Sequence, residues 1–489
     1  MLRFKRPDLK KEKIATLVIP VCEDEDIHAH RSISAFVKKA KELEEFSGKK
    51  EDELLFYDFP GTNIRRIIFM GLGKKEKLEP EVLRVFAGKA VKYCIKKNLP
   101  DILIAAPSET KCGTDMRDIL ESLMEGACLG NHIYDAYKKE KKHSPLKEIS
   151  LFVNAQTAGK YKDLPARTEI ICAGTVLARE WVSMPANDKI PEKFADSIAQ
   201  QAEKAGLSVR ILNEKELEKQ HFGALLAVAS GSNAAPRFLI LRYRAEGAEK
   251  HLALVGKGVT FDSGGLNLKI SGSMSGMKTD MAGAAAVAGA VIAAGKLKPS
   301  LNITGLIPLV ENMPSGTATR PGDVIRSYDG KTVEIGNTDA EGRLILIDAI
   351  AYAIRNEKPD LLIDLATLTG ACVVALGDKI AGVFSPDAQL SEAIIASGRK
   401  THERCWPMPL PDDYKELLKS DIADTSNMSS SKWGGAITAA LFLSSFVKDT
   451  RWAHIDIAGP ANSEKGNAYC GPGGSGFGVR LLCHLMENI

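Results

Sequence analysis

Residues 252–265, LALVGKGVTFDSGG, decide how this chain folds. Leu252–Gly256 is an apolar run of strand length with no polar alternation, which predicts a strand buried on both faces. Such a strand needs helices on each side of its sheet, and the loops at the ends of these strands are where ligands bind. The loop here opens with Lys257 and carries Asp262. Glycines at 256, 258, 264 and 265 let backbone approach a ligand closely.

Two more stretches complete the pattern. MKTDMAGAAA, at 277–286, places Asp280 ahead of an uncharged run, Met281–Gly295, whose length suits a buried helix packed closely on a sheet. NTDAEGRL, at 337–344, sets Asp339 and Glu341 one residue apart beside a glycine and Arg343. Apolar residues at Leu344, Ile347, Ile350, Ala351 and Ile354 follow at helical spacing. The acid pair therefore sits at or just before a helix N-terminus, where negative charge is favoured. Alone, D-x-E reads equally as a solvated turn with a helix-capping acid. Four carboxylates, each at the edge of an apolar element, change that, because buried carboxylates need partners and arginines are too few here. Asp262, Asp280, Asp339 and Glu341 could hold two divalent ions about 3.5–4 Å apart, as in two-metal hydrolases.

VGKGVTFDSGG, MKTDMAGAAAV and NTDAEGRL, in that order and spacing, resemble the leucyl aminopeptidase (cytosol aminopeptidase) family. The resemblance runs from about residue 178 to the end and includes DLATLTGA at 364–371 and WAHIDIAGPA at 452–461. It implies a dimetal aminopeptidase that releases N-terminal, leucine-like residues from peptides, with Mn²⁺ or Zn²⁺ as the ions. By matching motifs, Asp262, Asp339 and Glu341 would hold the more exchangeable ion, and Lys257, Asp262, Asp280 and Glu341 the tighter one. A lysine ligand must be deprotonated; from the residues alone Lys257 reads as a surface charge. The resemblance makes Lys269 the oxyanion donor and Arg343 the holder of a bicarbonate acting as general base. It gives Thr367, Leu368 and Gly370 the substrate backbone, and Met277, Ala458 and Ala461 the first side-chain pocket. It further implies a homohexamer with catalytic domains at its centre. Ser183 and Ser230 stand where the family often has Asn and Gln; neither lies in the metal motifs.

The rest of the chain frames this site. At 489 residues two domains are expected. Strand-like and helix-like segments alternate from the start, with strands near 14–21, 54–59, 67–70, 102–105 and 149–153 and helices near 32–45, 80–96 and 115–128. A polar linker around 158–167 leads into a helix over 171–182. The division is then an N-terminal α/β domain over 1–160, a linker and connecting helix over 161–183, and a catalytic domain over 184–489 with a central mixed sheet flanked by helices. GLGKKE at 71–76 lacks the third glycine of a dinucleotide fingerprint, and His402-Glu403 lacks the second histidine of a zincin. No G-x-S-x-G elbow is present.

A formal net charge of +3 does not imply a nucleic-acid partner. Residues 1–170 hold 32 Lys+Arg against 27 Asp+Glu, a mild excess that is the only support for a DNA-binding reading. A two-metal phosphoesterase is the other rival, since carboxylates with Arg343 could clamp a phosphate. Nine cysteines without C-x-x-C spacing fit reduced thiols in the cytoplasm. No leader is expected, and no apolar run is expected to reach membrane-spanning length.

Overall fold

The computed structural model describes all 489 residues, and they form two compact units. Unit one is Met1–Cys172 with Lys465–Pro472; unit two is Ala173–Glu464 with Gly473–Ile489.

Unit one is built on strands β1 (Leu2–Lys5), β2 (Leu17–Cys22), β3 (Glu53–Tyr57), β4 (Arg66–Gly73), β5 (Asp101–Ala105) and β6 (Glu148–Phe152), in the order β1-β6-β5-β2-β4-β3. Only β3 is antiparallel to its neighbour. Strand alternation sends Leu17, Ile19 and Val21 to one face, under Ile33, Phe36 and Val37 of helix Arg31–Lys41. Val18, Ile68 and Ile104 go to the other, under helices Pro80–Lys96 and Met116–Gly130. β1 escapes sequence reading because LRFK alternates charge with apolar side chains over only four residues.

Unit two holds a nine-stranded mixed sheet. Its strands are β7 (Ser208–Leu212), β8 (Arg237–Tyr243), β9 (His251–Gly256), β10 (Gly258–Asp262) and β11 (Asn302–Asn312), then β14 (Leu361–Ala366), β15 (Ala381–Phe384), β16 (Cys405–Met408) and β18 (Arg451–Asp456). A small separate sheet joins β12 (Val324–Arg326), β13 (Thr332–Glu334) and β17 (Thr425–Ser426). The order is β16-β15-β18-β14-β9-β11-β8-β7, with β10 also paired to β11. At its middle, β18, β14, β9 and β11 run parallel. Helices Ala282–Leu297 and Glu341–Tyr352 cover opposite faces. Ala253, Val255, Leu362 and Ala366 pack with Leu344, Ile345 and Ile347. On the other side Gly305 lies against Val287 and Val291, and Gly283 seats on the Leu365 carbonyl.

Two sequence expectations need correction. The segment read as a polar linker is helical, as Ala155–Lys160 and Leu164–Ser183. Pro165 does not break the second helix because a proline in the first turn removes only an N–H that has no intrahelical acceptor. The unit boundary, between Cys172 and Ala173, falls inside that helix. Also, Met277–Leu297 is long and apolar enough to cross a membrane, and 83% of its most apolar window is buried in the protein. It is the central core helix. None of the nine cysteines is in a disulfide.

Candidate metal centre

The site lies at the carboxyl ends of β9, β10, β11 and β14. Lys257 leaves β9 with its N–H on the carbonyl of Leu365, so its side chain starts between two central strands. Asp262 ends β10. Asp280 closes the short turn before helix Ala282–Leu297, and Glu341 is the first residue of helix Glu341–Tyr352. Asp339 stays in the loop before it. Close approach of backbone makes this convergence possible. A Cβ on Gly342 would lie 2.4 Å from Lys257 Cε, and one on Gly283 would lie 2.1 Å from the Leu365 carbonyl oxygen.

The result is a dense, buried set of charges. Lys257, Asp262, Asp280 and Glu341 are each no more than 6% exposed. Lys257 Nζ donates to Asp280 Oδ1 at 2.8 Å and the Thr367 carbonyl at 2.9 Å, and pairs with Glu341 Oε1 at 2.9 Å. Lys269 Nζ bridges Asp262 Oδ2 at 2.7 Å and Asp339 Oδ1 at 2.6 Å. No arginine neutralises the carboxylates; two lysines supply the counter-charge. Lys257 is not at the surface.

Burial, with Glu341 close by, pushes the Asp262 carboxyl up from the usual carboxylate range. Burial pushes Asp280 up further, with Lys257 pulling against it. Asp339 rises through burial. Burial works against the Lys257 ammonium, but Asp280, Glu341 and Asp262 outweigh it and hold that group above the ordinary lysine range. Lys269 is raised against its burial by Asp262 and Asp339.

The donor set fits a divalent cation. Carboxylate oxygens of Asp262, Asp280 and Glu341 lie within 4.8 Å of one another. Asp280 Oδ2 is buried with no hydrogen-bond partner, an acceptor that needs a cation or a donor. Hard, oxygen-rich sites of this kind suit divalent ions.

Thr367 joins the cluster directly, its Oγ1 donating to Asp280 Oδ1 at 2.8 Å. Leu368 and Ala458 are tied together by Asp456, whose Oδ1 accepts from both backbone N–H groups at 3.2 and 3.0 Å. Gly370 starts helix Gly370–Leu376, and Met277 begins the turn that carries Asp280. Ala461 is buried, with its N–H on the Ile457 carbonyl. Arg343 donates from Nη1 to the Asn427 carbonyl at 2.8 Å, while its buried Nε has no partner. Burial lowers its guanidinium to about 10.

Several supports have no signal in the sequence. Asn312 Nδ2 donates to Asp262 Oδ1 at 2.8 Å and to the Thr338 carbonyl, linking two metal loops. Asn427 holds the Asp339 loop through the N–H groups of Gly336 and Asn337. Buried Asp456 and the Asp364–His454 pair lie in strands that read only as apolar. Of the two departures, Ser183 Oγ accepts from the Gly474 N–H, and Ser230 Oγ donates to the Ala227 carbonyl. Neither touches the carboxylates.

Comparison with known proteins places this geometry. The family model for the catalytic domain of the cytosol aminopeptidase family matches residues 176–483, and its N-terminal-domain counterpart matches 19–141. A protein described as "Probable cytosol aminopeptidase" from Syntrophotalea carbinolica is 42% identical over 475 residues, covering 96% of this chain and 94% of the relative. A Geobacter sp. protein of the same description is 44% identical over 450 residues, covering 91% and 90%. The solved structure of the bottromycin maturation enzyme BotP in complex with Mn superposes with a TM-score of 0.84 at 33% identity, covering 96% of this chain and 98% of BotP.

Proposed function

The chain belongs to the cytosol aminopeptidase family and is a metal-dependent exopeptidase, and on that premise we propose that it removes leucine-like N-terminal residues from peptides with two divalent ions per chain. Asp262, Asp339 and Glu341 would hold one ion, and Lys257, Asp262, Asp280 and Glu341 the other. The observation that carries this reading is the buried cluster itself, with the unpartnered Asp280 Oδ2 inside it. Mn²⁺ or Zn²⁺ suits such donors, and the Mn-bound BotP structure favours Mn²⁺. Bound there, the ions would acidify water and polarise the scissile carbonyl.

The chain's own residues supply the rest. Lys257 now bridges Asp280 and Glu341 as an ammonium; to act as a ligand it must give up that proton. Lys269 would be freed from its carboxylates and donate to the oxyanion of the tetrahedral intermediate. Arg343, with Nε unpartnered, would hold a bicarbonate as proton acceptor. Asp456 would fix the backbone at Leu368 and Ala458, so that Thr367, Leu368 and Gly370 align the peptide. Met277, Ala458 and Ala461 offer an apolar lining for the first side chain, the basis for a leucine-like preference. Assembly into a homohexamer completes the reading, supported by exposed apolar side chains at Val374, Trp406 and Trp433.

The test is the free amine. Leucyl-p-nitroanilide should be cleaved with Mn²⁺ present, and the N-acetylated compound should be inert. Comparable hydrolysis of both would remove the aminopeptidase reading of the site.

A further inference from the structure

Unit one contains a cavity that the peptidase site does not use. In its sheet, β2 sits between β4 and β5. From β2 the chain proceeds to helix Arg31–Lys41 on one face and then outward to β4 and β3. From β5 it proceeds to helix Met116–Gly130 on the other face and outward the opposite way, to β6. The two connections part at the carboxyl ends of β2 and β5. Parallel sheets open a ligand-binding crevice at such a switch in strand order.

A cavity of about 230 Å³ lies at that place. It is lined by His28–His30 after β2, by Ala106–Ser108 after β5 and by Phe152–Asn154 at the end of β6, with Ile33, Met116 and Thr157 closing it. No Lys, Arg, Asp or Glu lines it, and burial lowers both lining histidines, His28 and His30, below the ordinary imidazole range, so the walls favour a neutral ligand. Its walls are apolar and aromatic: the His30 and Phe152 rings meet edge to face, 4.9 Å between centroids at 86°. Ser108, Asn154 and Thr157 add hydroxyl and amide groups that both donate and accept. The nearby glycine stretch 71–76 lacks a dinucleotide fingerprint, so a phosphate cradle of that kind is absent.

We propose that this cavity, between the loops that follow β2, β5 and β6, binds a neutral, flat, polar-edged heterocycle of the nucleoside class. The flat ring lies against His30 and Phe152, because an aromatic wall accepts any π-face. Its heteroatom edge meets Ser108, Asn154 and Thr157. Size agrees with a ring system plus a sugar.

The experiment is adenosine titration of the full-length, metal-loaded protein by calorimetry, with AMP and leucine as competitors. Two variants bear on the cavity and sit at exposed positions: His30→Ala removes one ring, and Ala29→Trp fills the mouth. We expect saturable adenosine binding, weakened at least about tenfold in both variants by loss of stacking or space. Leucyl-p-nitroanilide turnover should be the same in all three proteins. Absence of saturable adenosine binding, or binding indifferent to both variants, overturns the proposal. Binding of AMP without adenosine overturns the neutral-ligand claim, and displacement of adenosine by leucine overturns the class. Failure of the peptidase assay would leave these readouts intact, so the two proposals fail separately.

Discussion

Lys257 and Lys269 lie twelve positions apart, and each bridges two carboxylates, yet their surroundings assign them different work. Lys257 is enclosed by Asp280, Glu341 and the Thr367 carbonyl, all fixed by central strands and helix ends. Lys269 comes from an exposed loop whose neighbours Leu268 and Ile270 are 51% and 77% exposed, and it can leave its partners. Lys269→Ala should therefore lower kcat by about 10²–10³-fold, the usual cost of one oxyanion donor, with little change in metal content. Lys257→Ala should lose an ion instead. Metal analysis beside steady-state kinetics on both variants separates the roles, and an emptied site in Lys269→Ala would reverse them. These carboxylates were legible in the sequence because each stands at the edge of an apolar element. Lys257 as a buried residue was not, since a lysine after a strand usually reaches solvent; only Asp280 and Glu341, 23 and 84 positions along the chain, explain its burial.

At the scale of elements, the site depends on how closely helix Glu341–Tyr352 seats on Lys257. Gly342→Ala would place a methyl 2.7 Å from Lys257 Nζ and must displace it. The expected outcome is a folded protein with metal affinity reduced about 10–100-fold, as for other changes to a ligand's support, read by Mn²⁺ titration. The end of helix Leu164–Ser183 is held in a comparable way. Lys189, fully buried, donates to the Trp181 and Val182 carbonyls at 2.8 and 3.0 Å, and Lys278 donates to the Ser183 carbonyl. Burial, with Lys278 adding to it, lowers Lys189 from 10.5 to about 6. Between those pH values the unfolded chain binds a proton that the native state does not, so stability rises with pH across that window. Lys189→Met should flatten that rise by at most about 1.4 kcal/mol per pH unit, measured by urea unfolding of the chelated protein. Helices and strands with strong periodicity were readable in advance. β10, β15 and β16 were not: they are four or five residues long, and glycine or proline interrupts them.

For the whole molecule, the two-domain α/β organisation follows from length and from alternating strand and helix patterns, and the family motifs confine the chemistry to unit two. The division at Cys172–Ala173 falls within the connecting span 161–183, inside a helix that carries no composition change at that point. The return of Lys465–Pro472 to unit one is likewise invisible: Tyr469 reaches Glu81 at 3.0 Å across nearly the whole sequence. The proposed two-ion site rests on Asp262, Asp280, Asp339 and Glu341 converging where β9, β10, β11 and β14 end. The most direct test is Mn²⁺ titration by calorimetry, with elemental analysis, on the wild type and on Asp280→Asn. The wild type should take up two equivalents per chain. Asp280→Asn should lose at least one equivalent together with leucyl-p-nitroanilide turnover, while its circular dichroism is unchanged. An active wild type without stoichiometric metal, or an Asp280→Asn protein that keeps both equivalents, would contradict it.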